Sequence, residues 1–463
     1  MKTRLEKDSV GTLEIPIDAY YGVQSYRAKI NFQITGKRMI SEMISSLAEI
    51  KKAAAITNFF DGQLKEELYK AIVNACEYII EGNLHDQFIC DPIQGGAGTS
   101  ANMNANEVIA NKAIEILGHN KGEYSYVHPN DHVNMCQSTN DVYPTAGKLT
   151  ALKLIDKTIP KLEHLCDIID RKSNEFENVI KMGRTQLQDA VPVSLGGSFN
   201  AYATAIRRDI ERIRSAKKEL LTINLSGTAV GTSINASQGY HDNIIKYMRE
   251  VTGYDFVMSQ NLIDGTQNLD CFVYISGILK TCAVNMSKMC NDLRLMSSGP
   301  KAGLSEIVLP PRQNGSSIMP GKINPVIPEV VSQVAFNIIG NDMTITMAAE
   351  AGQLELNAFE PVLFYNLFES IETLGNAAET LADNCIEGII ANKEICRHYV
   401  DISAGVITAL CPVIGYVKSA EIAKKVVKSG KTAKQYLLEE GILTEKEIDE
   451  ILDPVKLVYP IKD

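Results

Sequence analysis

The chain has 463 residues, of which 45% are hydrophobic and 22% are charged. These proportions are typical of a soluble globular protein, and the length predicts about three domains with a large buried core. The net charge of −10, from 46 basic and 56 acidic residues, argues against a general nucleic-acid-binding protein but not against a site for a small anion.

The ten cysteines are scattered along the chain and include no Cys-x-x-Cys pair. Most of them occur in apolar helical patterns, where a free cysteine behaves as a small hydrophobic residue. The N-terminal sequence lacks the apolar core of a signal peptide, and no uncharged apolar stretch is long enough to span a bilayer. We therefore expect a cytoplasmic protein with reduced thiols.

The first predicted domain, residues 1–140, mixes short helical segments with turn-rich stretches. Its clearest break is Gly95-Gly96-Ala97-Gly98, because three glycines in four residues weaken helix and strand alike. A helical composition resumes at 106–110, so we expect this domain to be mostly helical.

The second predicted domain, residues 141–392, contains long patterns in which apolar residues recur at spacings of three and four. The clearest of these patterns cover residues 152–169, 275–296 and 364–385. Their length and number predict a bundle of long helices, and hence a mainly α fold. The apolar faces are more typical of a core than of a ligand-binding surface, although some of them could also contact other subunits.

The third predicted domain, residues 393–463, contains two short charged helices near 419–429 and 444–452. Thr444 is followed by Glu447 at the spacing of a capping box, which predicts the start of the second helix. We find no internal repeat and no low-complexity tract in the sequence.

The run from Gly315 to Asn324 reads Gly-Ser-Ser-Ile-Met-Pro-Gly-Lys-Ile-Asn. Its glycines and proline predict a shaped loop and not a helix or strand. Lys322 can bind a carboxylate, Asn324 can hydrogen-bond it, and one of the adjacent Ser316 and Ser317 remains for chemistry. A surface turn has a similar composition, but the ordered ten-residue string favours a functional loop.

Three further segments are rich in hydroxyl and amide side chains and are flanked by helical sequence. They contribute the candidate site residues Thr99, Ser138, Thr139, Asn140, Thr185 and Gln186. Each segment alone is explained by helix capping, because Ser, Thr, Asn and Asp favour N-caps. Together with Lys322 they supply many neutral donors and one cation, which suits a dicarboxylate held without a metal ion.

Motifs of several other enzyme classes are absent from the sequence. It contains no Gly-x-Ser-x-Gly elbow and no Gly-x-x-x-x-Gly-Lys-Ser/Thr phosphate loop. The glycines at 95–98 follow no clear strand, so they do not match a dinucleotide-binding fingerprint. We interpret His128 and His132, near one of the polar segments, as structural or surface groups and not as catalytic ones.

The string Gly-Ser-Ser-x-Met-Pro-x-Lys-x-Asn resembles the signature of the aspartase/fumarase superfamily, and the chain is most similar to the aspartate ammonia-lyase branch. The resemblance extends over nearly the whole chain and includes residues 18–23, 130–134, 291–295, 340–342 and 350–357. It implies a mostly helical three-domain subunit with a central bundle of long helices. It also implies a homotetramer in which loops of three subunits form each active site.

The resemblance further implies the reversible elimination of ammonia from L-aspartate to give fumarate. Ser316 would be the general base that removes the Cβ proton and produces an aci-carboxylate intermediate. The positions matching donors to the β-carboxylate are Thr99, Ser138, Thr139 and Ser317. Those matching ligands of the α-carboxylate are Lys322 and Asn324, and those near the amino group are Asn140, Thr185 and Gln186.

The resemblance implies no organic cofactor. A divalent cation activates some relatives, but no ligand cluster in this sequence identifies a metal site. We expect a small dicarboxylate as the partner, with no nucleic acid and no membrane.

Gln186 helps to choose between branches, because fumarases and some aspartases carry histidine at the matching position. An amide cannot relay a proton near neutral pH as imidazole does, so Gln186 favours ammonia elimination over hydration of fumarate. The alternatives are a class II fumarate hydratase, an ammonia-lyase for an aspartate analogue, and a non-catalytic helical assembly. One departure from relatives is Gly197-Ser198 in place of Gln-Glu, which could alter helix packing or a subunit contact.

Overall fold

The computed structural model describes residues 2–315 and 317–458, and most of them are helical. The mainly α fold class predicted from the apolar periodicities is therefore confirmed. The shorter helices of the first part of the chain are α1 (Val23–Asn31), α2 (Ser41–Phe60), α3 (Glu66–Ile80) and α4 (Thr99–Ile116). The helices that follow are α5 (Thr139–Glu175), α6 (Leu195–Leu220), α7 (Gln238–Thr252), α8 (Leu262–Gln267), α9 (Asp270–Met296), α10 (Val326–Glu350) and α11 (Glu360–Asn384). The last helices are α12 (Lys393–Ile402), α13 (Cys411–Ile414), α14 (Tyr416–Ser429), α15 (Ala433–Glu439), α16 (Glu445–Ile451) and α17 (Pro454–Val458).

The strands of the described chain form four small sheets of two strands each. Three are antiparallel: β1 (Thr3–Lys7) with β2 (Thr12–Pro16), β3 (Ile180–Thr185) with β4 (Gln188–Ser194), and β7 (Ile307–Val308) with β8 (Ile390–Ala391). The fourth pairs β5 (Thr222–Ile223) with β6 (Val257–Met258) in parallel.

The chain divides into two compact units, each built from three segments. The first unit contains the described residues of 1–158, 211–281 and 337–374. The second contains the described residues of 159–210, 282–336 and 375–463. The three domains expected from sequence, with boundaries near 140 and 392, stay a prediction.

The predicted apolar stripes are buried within the chain. Leu152 and Ile169 on α5 are fully buried, as is Ile371 on α11. On α9, Leu279 and Leu293 have at most 1% of their surface exposed. These faces therefore belong to the core of a single chain, as their period indicates.

Glu107 of α4 is buried against the start of α1. It accepts hydrogen bonds from the backbone N–H groups of Gly22, Gln24 and Ser25 at 2.8, 2.9 and 3.1 Å. These bonds satisfy N–H groups that have no partner inside the helix. Burial raises the pKa of Glu107 to about 7, and the hydrogen bond from the Ser25 hydroxyl opposes that shift.

The C-terminal helices pack around an apolar cluster of their own within the second unit. It includes Leu410, Leu437 and Ile448, together with Met182 of β3. The hairpin β3–β4 is thereby joined to the C-terminal segment. The capping box predicted at Thr444 is confirmed, because its side chain accepts from the N–H of Glu447 while the Glu447 side chain accepts from the N–H of Thr444.

All ten cysteines are free thiols. Burial raises the pKa of the Cys76 thiol to about 12, so this thiol is unreactive at neutral pH. Among the residues that the structure describes, no helix combines the length and apolar character needed to cross a membrane.

Candidate active site

The start of α5 carries three of the predicted site residues. Ser138 Oγ accepts a hydrogen bond from the N–H of Asn140 at 3.2 Å, and Asp141 Oδ1 accepts from the N–H of Ser138 at 2.9 Å. Ser138 therefore caps α5, as the capping interpretation expects. Capping uses the oxygen of this hydroxyl as an acceptor, so its proton can still be donated to a bound carboxylate.

Asn102 connects the first turn of α4 to the start of α5. Its amide nitrogen donates to Thr139 Oγ1 at 3.1 Å and to Asn134 Oδ1 at 3.2 Å. Since the Thr139 oxygen already accepts a hydrogen bond, its hydroxyl proton is directed elsewhere. The structure thus brings the α4 and α5 segments together within the first unit.

Thr99 is the first residue of α4, and its hydroxyl donates to the carbonyl oxygen of Gly96 at 2.7 Å. It must rotate before it can donate to a substrate. The preceding Gly98 has φ +84°, and a Cβ there would lie 2.3 Å from the ring of Tyr143. Glycine is required at this position, which accounts for the Gly-rich break before the helix.

Asn140 is held by the loop that follows β5. Its side-chain nitrogen donates to the carbonyl oxygen of Ala229 at 2.7 Å, and its backbone carbonyl oxygen accepts from the side-chain amide of Asn224 at 3.0 Å. The side-chain oxygen Oδ1 of Asn140 is the atom suited to accept from a substrate ammonium group.

Lys51 and Asp141 form a buried polar centre that the sequence interpretation missed. Lys51 is fully buried, and its Nζ donates to Asn134 Oδ1 at 2.7 Å and to Gln137 Oε1 at 3.0 Å. Burial lowers the pKa of Lys51 to about 7, and the charge of Asp141 opposes that shift. The two partners of Lys51 lie directly before the Ser138 segment, so this lysine anchors the candidate site.

Asp141 is fully buried, and burial raises its pKa to about 6 against the hydrogen bonds that it accepts. Its second oxygen accepts from the N–H groups of Ser226 and Thr228 at 3.2 and 2.9 Å.

A sequence signal existed for Lys51, because it occupies a core position of the apolar stripe that includes Ile44 and Leu47 of α2.

Thr185 and Gln186 lie at the tip of the β3–β4 hairpin in the second unit. Thr185 pairs with Gln188, so Gln186 and Leu187 form a two-residue turn. Their φ angles are +53° and +62°, and the side chains of Thr185 and Gln186 are exposed. The hairpin thus presents both residues to solvent, where a ligand can reach them.

The Gly315–Asn324 loop also belongs to the second unit, and Ser316 lies outside the described residues. Asn324 donates from its amide nitrogen to the carbonyl oxygen of Gly315 at 2.7 Å. A Cβ at Gly315 would lie 1.7 Å from the carbonyl oxygen of Lys322, so only glycine fits where the ends of the loop meet. Lys322 and Ser317 are exposed, and the loop lines an open recess of about 680 Å³.

The two histidines near the polar segment have structural partners. His128 Nδ1 accepts from the N–H groups of Asn130 and Asp131 at 3.3 and 3.1 Å. His132 Nδ1 accepts from the N–H of His128 at 2.9 Å. Both rings therefore support the π-helical turn at Pro129–Val133, in agreement with their structural interpretation.

Within residues 2–315 and 317–458, no group of three or more His, Cys, Asp or Glu side chains is arranged to hold a metal ion. The structure does not test activation by a divalent cation. The expectation that no cofactor is required also stays a prediction.

Two family models match the chain, one described as Lyase over residues 11–340 and one described as Fumarase C C-terminus over residues 406–459. An aspartate ammonia-lyase from Helicobacter pylori is 53% identical, with 99% of this chain and 98% of that protein covered. These matches include every segment that carries a candidate site residue.

Solved structures also match this chain over nearly its full length. The crystal structure of a Brucella melitensis fumarate lyase:delta crystallin bound to cobalt has a TM-score of 0.97 at 49% identity, covering 99% of this chain and 100% of that one. A class II fumarase from Schistosoma mansoni has a TM-score of 0.96 at 36% identity, covering 100% of both chains. The similarity in fold therefore extends over the whole chain.

Proposed function

The chain belongs to the aspartase/fumarase superfamily and is a carbon–nitrogen lyase, and from this premise we propose that it eliminates ammonia reversibly from L-aspartate to give fumarate. The observation that carries the proposal is the 53% identity, over nearly the full length, with an aspartate ammonia-lyase. The class II fumarase shares the fold but only 36% of the sequence. Hydration of fumarate is therefore the second candidate.

Ser316 is the proposed general base. It removes a proton from Cβ of L-aspartate, and the C–H electron pair moves into the β-carboxylate to form the aci-carboxylate. The ammonium group then takes the Cα–N electron pair and leaves as ammonia. A serine hydroxyl is a weak base precursor, so neighbouring donors and the charge of Lys322 must stabilise its alkoxide. Support for Ser316 comes from its position in the Gly-Ser-Ser-x-Met-Pro-x-Lys-x-Asn string, which resembles the family signature.

The β-carboxylate gains negative charge in the intermediate, so it needs donors that are oriented beforehand. We assign this task to Thr99, Ser138, Thr139 and Ser317. The contacts of Ser138 and Thr139 support the assignment, because each oxygen already accepts a hydrogen bond and leaves its proton for a ligand. Thr99 contributes after its hydroxyl rotates away from Gly96.

Lys322 and Asn324 are the proposed ligands of the α-carboxylate. Asn324 uses one amide N–H for Gly315 and retains a second for the substrate. Asn140, Thr185 and Gln186 are assigned to the amino group, for which each offers a side-chain oxygen as acceptor. Gln186 does not titrate near neutral pH, which favours this reaction over hydration.

We also propose a homotetramer whose active sites combine loops of three subunits. The exposed apolar side chains on α10 support assembly, because Ile339, Met343 and Met347 recur every four residues and are 41%, 62% and 64% exposed. A soluble protein rarely leaves such a stripe uncovered. The proposal also includes a cytoplasmic enzyme that requires no cofactor.

The decisive experiment measures fumarate formed by the purified protein from L-aspartate and from L-malate. Rapid formation from L-aspartate with release of ammonia supports the proposal. Formation from L-malate alone would reject it in favour of a hydratase. Inactivity on both substrates and on a panel of aspartate analogues would favour a non-catalytic assembly.

A further inference from the structure

We propose that the C-terminal helical segment positions the tip of the β3–β4 hairpin for binding the substrate amino group, through a hydrogen bond between Ser403 and Asp189. The inference rests on the proposed function, which assigns Thr185 and Gln186 at this tip to that group. Ser403 and Asp189 are positioning residues that act through the hairpin without touching substrate.

The turn at the hairpin tip is strained. Gln186 and Leu187 both have positive φ, as a type I′ turn requires, whereas Asn and Gly are the residues that adopt this geometry readily. Leu187 is 71% exposed, so packing of its side chain does little to hold the turn. A backbone conformation of this kind persists only when its surroundings determine it.

Buried ion pairs fix the β3 strand of the hairpin as far as Arg184, the residue paired with Asp189 beside the turn. Glu306 has no exposed surface, and its carboxylate lies 2.7 Å from Nη1 of Arg184 and 3.3 Å from Nζ of Lys181, both on β3. Met182, between these residues, is fully buried in the C-terminal apolar cluster. The β3 side of the hairpin is therefore held up to the turn, and the β4 side needs a contact of its own.

The segment after α12 holds the hairpin close to its turn. Ser403 is 3% exposed, and its hydroxyl donates to Asp189 Oδ2 at 2.8 Å. Two residues later, a Cβ at Gly405 would lie 2.2 Å from the carbonyl oxygen of Ala190, so the two backbones are in direct contact. Asp189 is two positions from the turn residue Leu187, and this contact therefore limits how far the tip can move.

The hydroxyl of Ser403 has a second task, because its oxygen also accepts from the N–H of Gly405 at 3.1 Å and caps a short 3-10 helix. Asp189→Ala is therefore the sharper variant, since it removes only the bond to the hairpin. Asp189→Asn keeps an acceptor oxygen. Ser419→Ala is the matched control, because it removes a buried hydroxyl that donates within the same segment to Gly415 at 2.8 Å.

The experiment measures the reverse reaction, in which ammonium and fumarate have separate KM values. Asp189→Ala should raise the KM for ammonium about threefold to tenfold, as expected for one lost hydrogen bond, and leave the KM for fumarate within about twofold. Ser403→Ala should give the same split, and the double variant should add little because the two residues form one contact. Asp189→Asn and Ser419→Ala should resemble the parent.

An unchanged KM for ammonium in the active Asp189→Ala enzyme overturns the inference. A parallel rise in both KM values with a lowered thermal midpoint also overturns it, because that pattern indicates general destabilisation. The chain contains no tryptophan, so Leu187→Trp places a single reporter at the tip. Its fluorescence anisotropy should fall when Asp189→Ala is added. If the parent protein has no lyase activity, the proposed function fails. The anisotropy still tests the inference in that case, and a value that Asp189→Ala leaves unchanged overturns it.

Discussion

The Nζ atom of Lys51 donates a 2.7 Å hydrogen bond to Oδ1 of Asn134, at a depth where the lysine has no exposed surface. The same oxygen accepts from Asn102, which also donates to Thr139. A buried lysine on α2 is thus connected through amide side chains to a hydroxyl proposed to bind substrate. Among the described residues, the Oδ1 atom of Asn102 is buried without a hydrogen-bond partner, so this network is only partly satisfied.

Lys51→Met should lower kcat/KM for L-aspartate about tenfold to a hundredfold, the scale expected when catalytic groups are displaced slightly. The reason is that Asn134 and Gln137 lose their donor and release the Ser138 segment. Lys52→Met is the matched control, because Lys52 is partly exposed and pairs with Glu77 at 2.8 Å. Steady-state kinetics measure the effect, and circular dichroism checks the fold. Equal activities of the two variants would contradict the anchoring role.

Ser316→Ala should reduce turnover about 10²- to 10⁴-fold, the range for loss of a general base. Ser317→Ala should retain more activity, because it removes only one of several donors to the β-carboxylate. Exchange of the aspartate Cβ hydrogen with deuterated solvent, followed by NMR, reports proton removal directly. A larger loss of exchange in Ser317→Ala would transfer the base role to Ser317.

Gly196 and Gly197, adjacent in the first turn of α6, should respond oppositely to alanine. A Cβ at Gly197 meets only the Ser194 side chain at 3.7 Å, so Gly197→Ala should stabilise the protein by about 0.5–1 kcal/mol through reduced freedom of the unfolded chain. A Cβ at Gly196 would lie 2.3 Å from the carbonyl oxygen of Ser173, so Gly196→Ala should destabilise by about 1–3 kcal/mol. Denaturant unfolding of both variants tests the pair.

Glu107 should make stability depend on pH. Its pKa is about 7 in the folded state against the ordinary glutamate value of 4.5, so the folded state holds the proton more tightly. The stabilisation that this provides is complete below pH 4.5 and is lost as the pH rises through about 7. Glu107→Gln removes the titration. The thermal midpoint of the parent minus that of the variant should therefore be lower at pH 8 than at pH 5, by roughly a few degrees. A difference that stays constant between these pH values would exclude the shifted pKa.

The α10 stripe should control assembly. Met343→Glu with Met347→Glu places two charges on a face that is more than 60% exposed in the single chain. If that face is buried in a tetramer, the variant should dissociate, because unpaired charges are costly to bury. Sedimentation velocity measures the mass of the assembly. Val417→Glu, at another exposed apolar position on α14, is the control. An intact tetramer in the double variant would exclude this face from the interface.

The mainly α fold could be predicted from sequence because its long helices carry regular apolar stripes, such as the one through Leu152 and Ile169 on α5. The capping box at Thr444 was equally predictable, since its signal is local. Apolar periodicity could not predict how the chain divides into two compact units, because each unit combines segments that are distant in sequence.

The candidate site was only partly accessible to sequence reasoning. The polar segments can be recognised from their composition. Ser138 shows that one serine can both cap a helix and keep a proton for a ligand. Lys51, Asp141 and Glu306 were missed, because a buried charge is recognised by its partners and those come from distant parts of the chain. The turn at Gln186 was also missed, since glutamine and leucine do not indicate positive φ.

The bond between Asn324 and the carbonyl oxygen of Gly315 closes the neck of a loop with the same amide that we propose as a ligand of the substrate's acid group. In that proposal, ligand occupancy and loop shape are coupled at a single side chain, because one N–H of the amide ties the ends of the loop together and the other is offered to the carboxylate. Weakened binding in any Asn324 variant will consequently combine a lost contact with a loosened neck. A structure of the variant with ligand separates these two contributions.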